Sequence, residues 1–199
     1  MAAQGSTITS VGHREALLVA ARQLLEDKGY AHITARDLVA ASGTNLASIG
    51  YHFRSKAGLL NAALGAVFEE WATQLAAIAM ADPDASPVER AHLTWAALLA
   101  NLSARRPLLV SYVEALAQAD RDPELREQLA GFYREIRTKV SALVTAALGA
   151  EIDDKEAAAV ASWVIAVCDG LSVQWLLDPA AMPTAKDLLT GLAKLRAAS

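Results

Sequence analysis

Residues 34–56, TARDLVAASGTNLASIGYHFRSK, constrain the fold of this chain more than any other stretch. Thr34 stands where a helix cap belongs, and Asp37 follows at the third helical position, able to complete a capping box. The helix so started runs from Ala35 to Ser42 and stops at Gly43, the residue type that relieves a tight turn. A second short helix is expected over Leu46 to Phe53, and Ser55 then caps a long third helix beginning with Lys56. Two short helices joined by a glycine-containing turn can lay the second helix in a DNA major groove.

The rest of the chain also reads as helical. Its 54% apolar content is dominated by Ala and Leu, with Val and Ile scattered, so no alternating strand pattern emerges and an all-α fold is expected. Leu17, Ala20, Ala21, Leu24 and Leu25 form an apolar stripe on a first helix over about Ser10 to Lys28. Behind the reader-like block, breaks at Asp82-Pro83-Asp84, Arg105-Arg106-Pro107, Asp122-Pro123, Gly149 and Asp178-Pro179 divide the remainder. Helix starts are marked by Ser86 with Glu89, Asp153 with Glu156, and Thr184 with Asp187. Counted this way the chain has nine helices, three in a head and six in a body. Residues 1–9 are expected to be a disordered arm, 10–56 a helix-turn-helix domain, and 57–199 the body.

Charge divides along the same line. Residues 1–56 carry six Lys/Arg against four acids, and the remainder twelve against eighteen, within a formal net charge of −4. A mildly basic head on an acidic body suits a molecule that touches phosphates with one end only. Cys168 is the single cysteine, which excludes an intrachain disulfide and any multi-cysteine zinc site. The N-terminus lacks the pattern of a secretory signal, and the longest uncharged apolar run, Ala157 to Cys168, is shorter than a bilayer span. A cytoplasmic protein with no membrane association is the expectation.

The frame Thr34…Asp37-Leu38…Gly43 and the run Tyr51-His52-Phe53-x-Ser55-Lys56 resemble the DNA-binding domain of the tetracycline-repressor (TetR) family of bacterial regulators, over about residues 12 to 60. Gly50 replaces an aromatic usual in that family, and Ala57-Gly58 replaces the usual acidic start of the next helix. The resemblance implies a three-helix head, a helical ligand-binding and dimerisation body, and a double-stranded operator as partner. It also implies that Thr34, Tyr51, His52 and Lys56 meet the DNA backbone. Arg36 is a further phosphate candidate, as is Arg54. Thr44, Asn45 and Ser48 lie toward the N-terminal end of the second short helix, where base edges are reached; an Asn can pair bidentately with adenine. For Thr44 and Asn45 the competing reading is turn and cap chemistry alone. Ile49 and Phe53 are expected to face the core of the head.

Trp95, Tyr112, Phe132, Tyr133, Trp163, Cys168 and Gln174 are aromatic or mildly polar residues inside apolar helices, and each is explained alone by ordinary packing. Together, given the resemblance, they are candidates to bind a small, largely apolar or aromatic effector. No cofactor is implied. Glu89-x-x-His92 has metal-ligand spacing but no second copy, and Cys168 has no histidine partner, so no metal site or catalytic residue is expected. The eighth and ninth helices (helices 8 and 9) are apolar enough to form a homodimer interface. The functional expectation is therefore a ligand-responsive repressor that binds a palindromic operator as a dimer. The alternative is an all-α small-molecule-binding protein or enzyme without operator binding.

Overall fold

The computed structural model describes residues 3–149 and 152–197, and the side chains of these except at 3–11 and 196. Eight α-helices are present among the described residues: α1 (Ala3–Lys28), α2 (Ala35–Ser42), α3 (Leu46–Phe53), α4 (Lys56–Ala79), α5 (Pro87–Ala119), α6 (Pro123–Leu148), α7 (Asp154–Leu177) and α8 (Ala185–Ala197). Short 3-10 turns lie at Tyr30–His32 and Pro179–Ala181. Of the arm expected over 1–9, residues 1 and 2 lie outside the described residues, as do the side chains of the rest.

The expected count of nine helices is corrected to eight, because the break at Arg105-Arg106-Pro107 does not occur and α5 runs through Pro107. Proline removes one intrahelical hydrogen bond and crowds the preceding turn. Against that cost stands a buried stripe at helical spacing on both sides of it: Leu98 and Leu102 before, Leu108, Leu109, Tyr112 and Ala115 after. Arg105 is anchored as well, its guanidinium lying 4.9 Å from the centre of the Trp71 ring and donating to Gln74 Oε1 at 2.9 Å. Packing of a helix face outweighs a local breaker.

The chain forms two compact units. The first comprises residues up to Phe68 with Pro107–Phe132, the second Glu69–Arg106 with Tyr133 onward. In the first, Leu17, Ala21, Leu24 and Leu25 of α1 meet Leu38 of α2, Ile49 and Phe53 of α3, and Leu59, Leu60 and Leu64 of α4 in one core that also takes in Leu108 and Ala115 of α5. Ile49 and Phe53 thus face inward as their spacing predicts. In the second unit, Trp95 and Trp163 pair with ring centres 5.8 Å apart, and Arg137 donates to Ser162 Oγ at 3.0 Å.

Helix α7 is largely uncovered. By length and composition alone it is apolar enough to cross a membrane, yet only 11% of its most apolar window is buried within the protein. Counting only the uncharged run Ala157–Cys168 understates how far this character extends.

Candidate nucleic-acid interface and ligand cavity

The reader is assembled by short-range hydrogen bonds. Thr34 Oγ1 accepts from Asp37 N at 3.1 Å and donates to Asp37 Oδ2 at 2.7 Å, while Asp37 Oδ2 also accepts from Thr34 N. Lys28 donates to Asp37 Oδ1 at 2.7 Å. Those bonds, the one from Lys28 foremost, hold the Asp37 carboxyl well below the usual carboxylate range. Gly43 ends α2 at φ 64°, a conformation costly for any residue with a side chain.

Asn45 caps α3, its Oδ1 accepting from Ser48 N at 3.0 Å, so the cap chemistry weighed against base reading is present. Among the described residues the exposed side-chain amide nitrogen bonds to none and stays available. Ser48, by contrast, is buried, and its hydroxyl is within 3.3 Å of His13 Nδ1 and of Asn45 Oδ1. Thr44 is half-buried with its hydroxyl 2.7 Å from that of Ser42. What α3 offers outward is Leu46, Ala47, Gly50 and Tyr51, with Tyr51 79% exposed. Spacing of one and four residues places them on one face. Leu46 is the member of this face that polarity alone passes over.

Around that face, Thr34 and Arg36 are exposed at the start of α2. His52 is half-buried, edge-on to Tyr51 with ring centres 4.8 Å apart. Lys56 donates to the Ile33 carbonyl at 2.7 Å, tying the start of α4 to the approach of α2. The α3–α4 corner is tight: Arg54 adopts φ 65°, and a Cβ on Gly58 would stand 2.2 Å from the Phe53 carbonyl oxygen. Glycine at 58 is therefore required by close approach, which accounts for one departure from the family pattern.

The aromatic candidates of the body separate. Tyr112 and Phe132 line a cavity of about 20 Å³ with Asn61, Leu64, Gly65, Phe68, Gln128 and Leu129. The Phe68 ring centre lies 4.8 Å from that of Tyr112 and 6.1 Å from that of Phe132. Among the described residues no charged side chain lines this cavity. The other candidates fall in the second unit: Trp95 is buried against Trp163, which is 43% exposed, and Gln174 is exposed. Tyr133 donates to Asp169 Oδ2 at 2.6 Å. Burial raises the Asp169 carboxyl above its ordinary range despite that bond. Burial, with Asp169 beside it, also pushes the Cys168 thiol up to about 12, far from a reactive thiolate. Asn61, Gly65 and Gln128 carried no signal in the sequence, since their roles follow from contacts distant along the chain. Glu89, the one metal-spaced acid, accepts from Ser86 N and Oγ and completes a helix cap.

Two family descriptions match the chain. "Bacterial regulatory proteins, tetR family" covers residues 17–63, and "BetI-type transcriptional repressor, C-terminal" covers residues 87–193. Among solved structures, the multidrug binding protein EbrR complexed with imidazole is 30% identical, with 90% of this chain and 93% of that one covered at a TM-score of 0.65. The same protein complexed with proflavin matches at 29% identity over 90% of this chain and 99% of that one, TM-score 0.63. A putative TetR-family regulator from Rhodococcus sp. shares the fold at 21% identity, 93% and 98% coverage and a TM-score of 0.66. No curated protein is significantly similar in sequence. The chain belongs to the TetR family of transcriptional regulators. It is a DNA-binding, ligand-responsive transcriptional regulator rather than an enzyme, with the ligand-binding, dimeric architecture of the family in general.

Proposed function

We propose that the protein is a cytoplasmic repressor that binds a palindromic operator as a homodimer and releases it when a small, largely apolar effector occupies the body. The observation that carries the reading is the outward face of α3, flanked by the exposed starts of α2 and its capping groups. Thr44, the free amide nitrogen of Asn45, and the Leu46-Ala47 surface supply base contacts of mixed polar and apolar kind. Tyr51, Thr34, Arg36 and His52 supply the phosphate side, while Lys56 acts partly by fixing the loop it bonds. Buried Ser48 serves to seat α3 rather than to read bases directly.

The dimer is assigned to α7 and α8, the helices numbered 8 and 9 in the sequence count. Supporting this, Val160, Trp163, Val173 and Leu177 on α7 and Leu192 on α8 are all exposed in the protomer. The effector is assigned to the cavity lined by Tyr112 and Phe132. EbrR is described as a multidrug-binding protein, and an apolar, uncharged cavity here fits an effector of related breadth.

Selection of bound DNA from a random duplex pool tests the reading. An inverted repeat should emerge, and absence of any enriched sequence would overturn the assignment of α3. Asn45→Ser retains a capping oxygen but loses the amide, so it should cost ~1–3 kcal/mol at one base position. Tyr51→Phe should instead weaken all sequences about equally.

A further inference from the structure

Tyr30, in the turn after α1, is 2% exposed within the core of the first unit. Its hydroxyl donates to Asn61 Oδ1 at 2.7 Å. Burial, with Asp122 nearby, raises the hydroxyl to about 12, so it remains protonated and a donor. Asn61, on α4 and 7% exposed, uses the other end of its amide to donate to Gln128 Oε1 on α6 at 2.6 Å. Asn61 and Gln128 both line the cavity. One hydrogen-bonded chain therefore runs from the cavity wall to the turn between α1 and α2.

Two other ties hold α5 to the same region: Ser111 Oγ donates to the Leu25 carbonyl at 2.9 Å, and Glu114 Oε2 accepts from Ala31 N at 3.0 Å. Neither Ser111 nor Glu114 lines the cavity. The Tyr30–Asn61 bond is the tie among these three whose far end an occupant can touch. A cavity of about 20 Å³ has room for about one water molecule, so any organic occupant must move its wall. Buried polar groups left without partners are costly, so a displaced amide is re-bonded elsewhere rather than left open.

We propose that the Gln128–Asn61–Tyr30 chain transmits cavity occupancy to the DNA-reading helices, and that its effective ligands are uncharged molecules with a hydrogen-bonding edge that replaces Gln128 on Asn61. The inference rests on the regulator reading above and names how its ligand acts. Asn61 and Tyr30 are positioning residues, since neither is placed on DNA. A ligand shifts the equilibrium only through unequal affinity for two states, and the retained or broken chain supplies that inequality.

Gly65 permits a test without an identified ligand. It lines the cavity, and a Cβ there would meet Phe132 Cδ2 at 3.9 Å with nothing closer, so a longer side chain grows into the space as a tethered occupant. Operator affinity is measured for Gly65→Leu in the natural sequence and with Tyr30→Phe, using DNA recovered by selection. Gly65→Leu should weaken binding about tenfold in the first background and less than about twofold in the second. Equal weakening in both backgrounds, or none in a folded Gly65→Leu protein, overturns the inference alone. If circular dichroism shows Gly65→Leu unfolded, Gln128→Met replaces it, conserving volume while removing the acceptor, with the same two outcomes. Failure of the unmutated protein to select any DNA overturns the regulator reading itself.

Discussion

Leu17, Leu25, Leu38, Leu59 and Leu60 in the first unit have no exposed surface, whereas Val160, Trp163, Val173 and Leu177 along α7 expose between 36% and 82% of theirs. Both sets are large apolar side chains on helices, so composition does not distinguish them. What differs is the number of faces offered a partner inside the protomer. In the first unit five helices and a turn converge on one core, and even its buried hydroxyls, those of Tyr30 and Ser111, have bonds. On α7 only Ala157, Ala161, Leu171 and Ser172 are buried. Burying apolar area contributes roughly 25 cal/mol per Å², so a face left open is stabilisation still available to an association. The core of the reader is closed within one copy, whereas the open α7 face is the one to which the proposed dimer is assigned.

The largest expected effect breaks that comparison directly. Val173→Glu combined with Leu192→Glu puts two charges on the open face of α7 and α8, where a dimer would have to bury them. Sedimentation should find monomers, and circular dichroism an unchanged helix content, because neither residue is among the buried core. Operator affinity should fall by at least about 100-fold, since two linked heads gain from effective concentration and one head does not. A doubly substituted protein that stays dimeric would place the interface elsewhere and leave the exposed α7 residues unexplained.

The same contrast governs what the sequence revealed. The caps Thr34/Asp37, Ser86/Glu89, Asp153/Glu156 and Thr184/Asp187 are all made as read, because each signal and its bond lie within four residues. Pro107 misled for the converse reason: a strong local rule was weighed above the stripe Leu98, Leu102, Leu109, Tyr112, which continues across it. For the candidate site, residue chemistry picked out Tyr112 and Phe132 but could not separate them from Trp95, Trp163 or Tyr133, which lie in the other unit. Asn61 went unnoticed because its partners stand 31 and 67 residues away along the chain. Asn45 was legible as a cap or a base reader, and the cap is the part that local geometry fixes.

A smaller effect sharpens the comparison through two carboxylates. Asp37 in the reader is held below the ordinary carboxylate range by Lys28 and Thr34, so its contribution is present above that range and is lost as pH falls through its folded value. Asp169 on α7 is raised by burial, so the native state binds its proton more tightly than the unfolded chain does. Stability should therefore fall as pH rises from the ordinary carboxylate range through the raised value. Asp169→Asn keeps an acceptor for Tyr133 and should be more stable than the natural protein near neutrality, converging with it in acid. Asp37→Asn should be less stable near neutrality and likewise converge in acid. Thermal unfolding followed from neutral into acid checks both signs, and parallel curves for the two variants would remove the distinction between their settings.

The smallest effect concerns a place where the reader itself is not optimally stable. Arg54 holds φ 65° and ψ −41° at the corner between α3 and α4, its N–H donating to the Gly50 carbonyl at 3.1 Å. Such a conformation is strained for a residue with a Cβ, and glycine adopts it freely at the cost of a more flexible unfolded chain. Arg54→Gly should accordingly gain about 0.5–1 kcal/mol in urea unfolding. The exposed guanidinium beside the reading helix is also lost, and with it a phosphate contact of the proposed complex. Affinity should then drop about equally for all sequences, and the slope of log affinity against log salt should decrease by about one unit. Stability and binding would move in opposite directions, which is the mark of strain kept for position rather than for folding. A gain in stability with an unchanged salt slope would show that the corner serves the angle between α3 and α4 and that Arg54 itself stays off the phosphates.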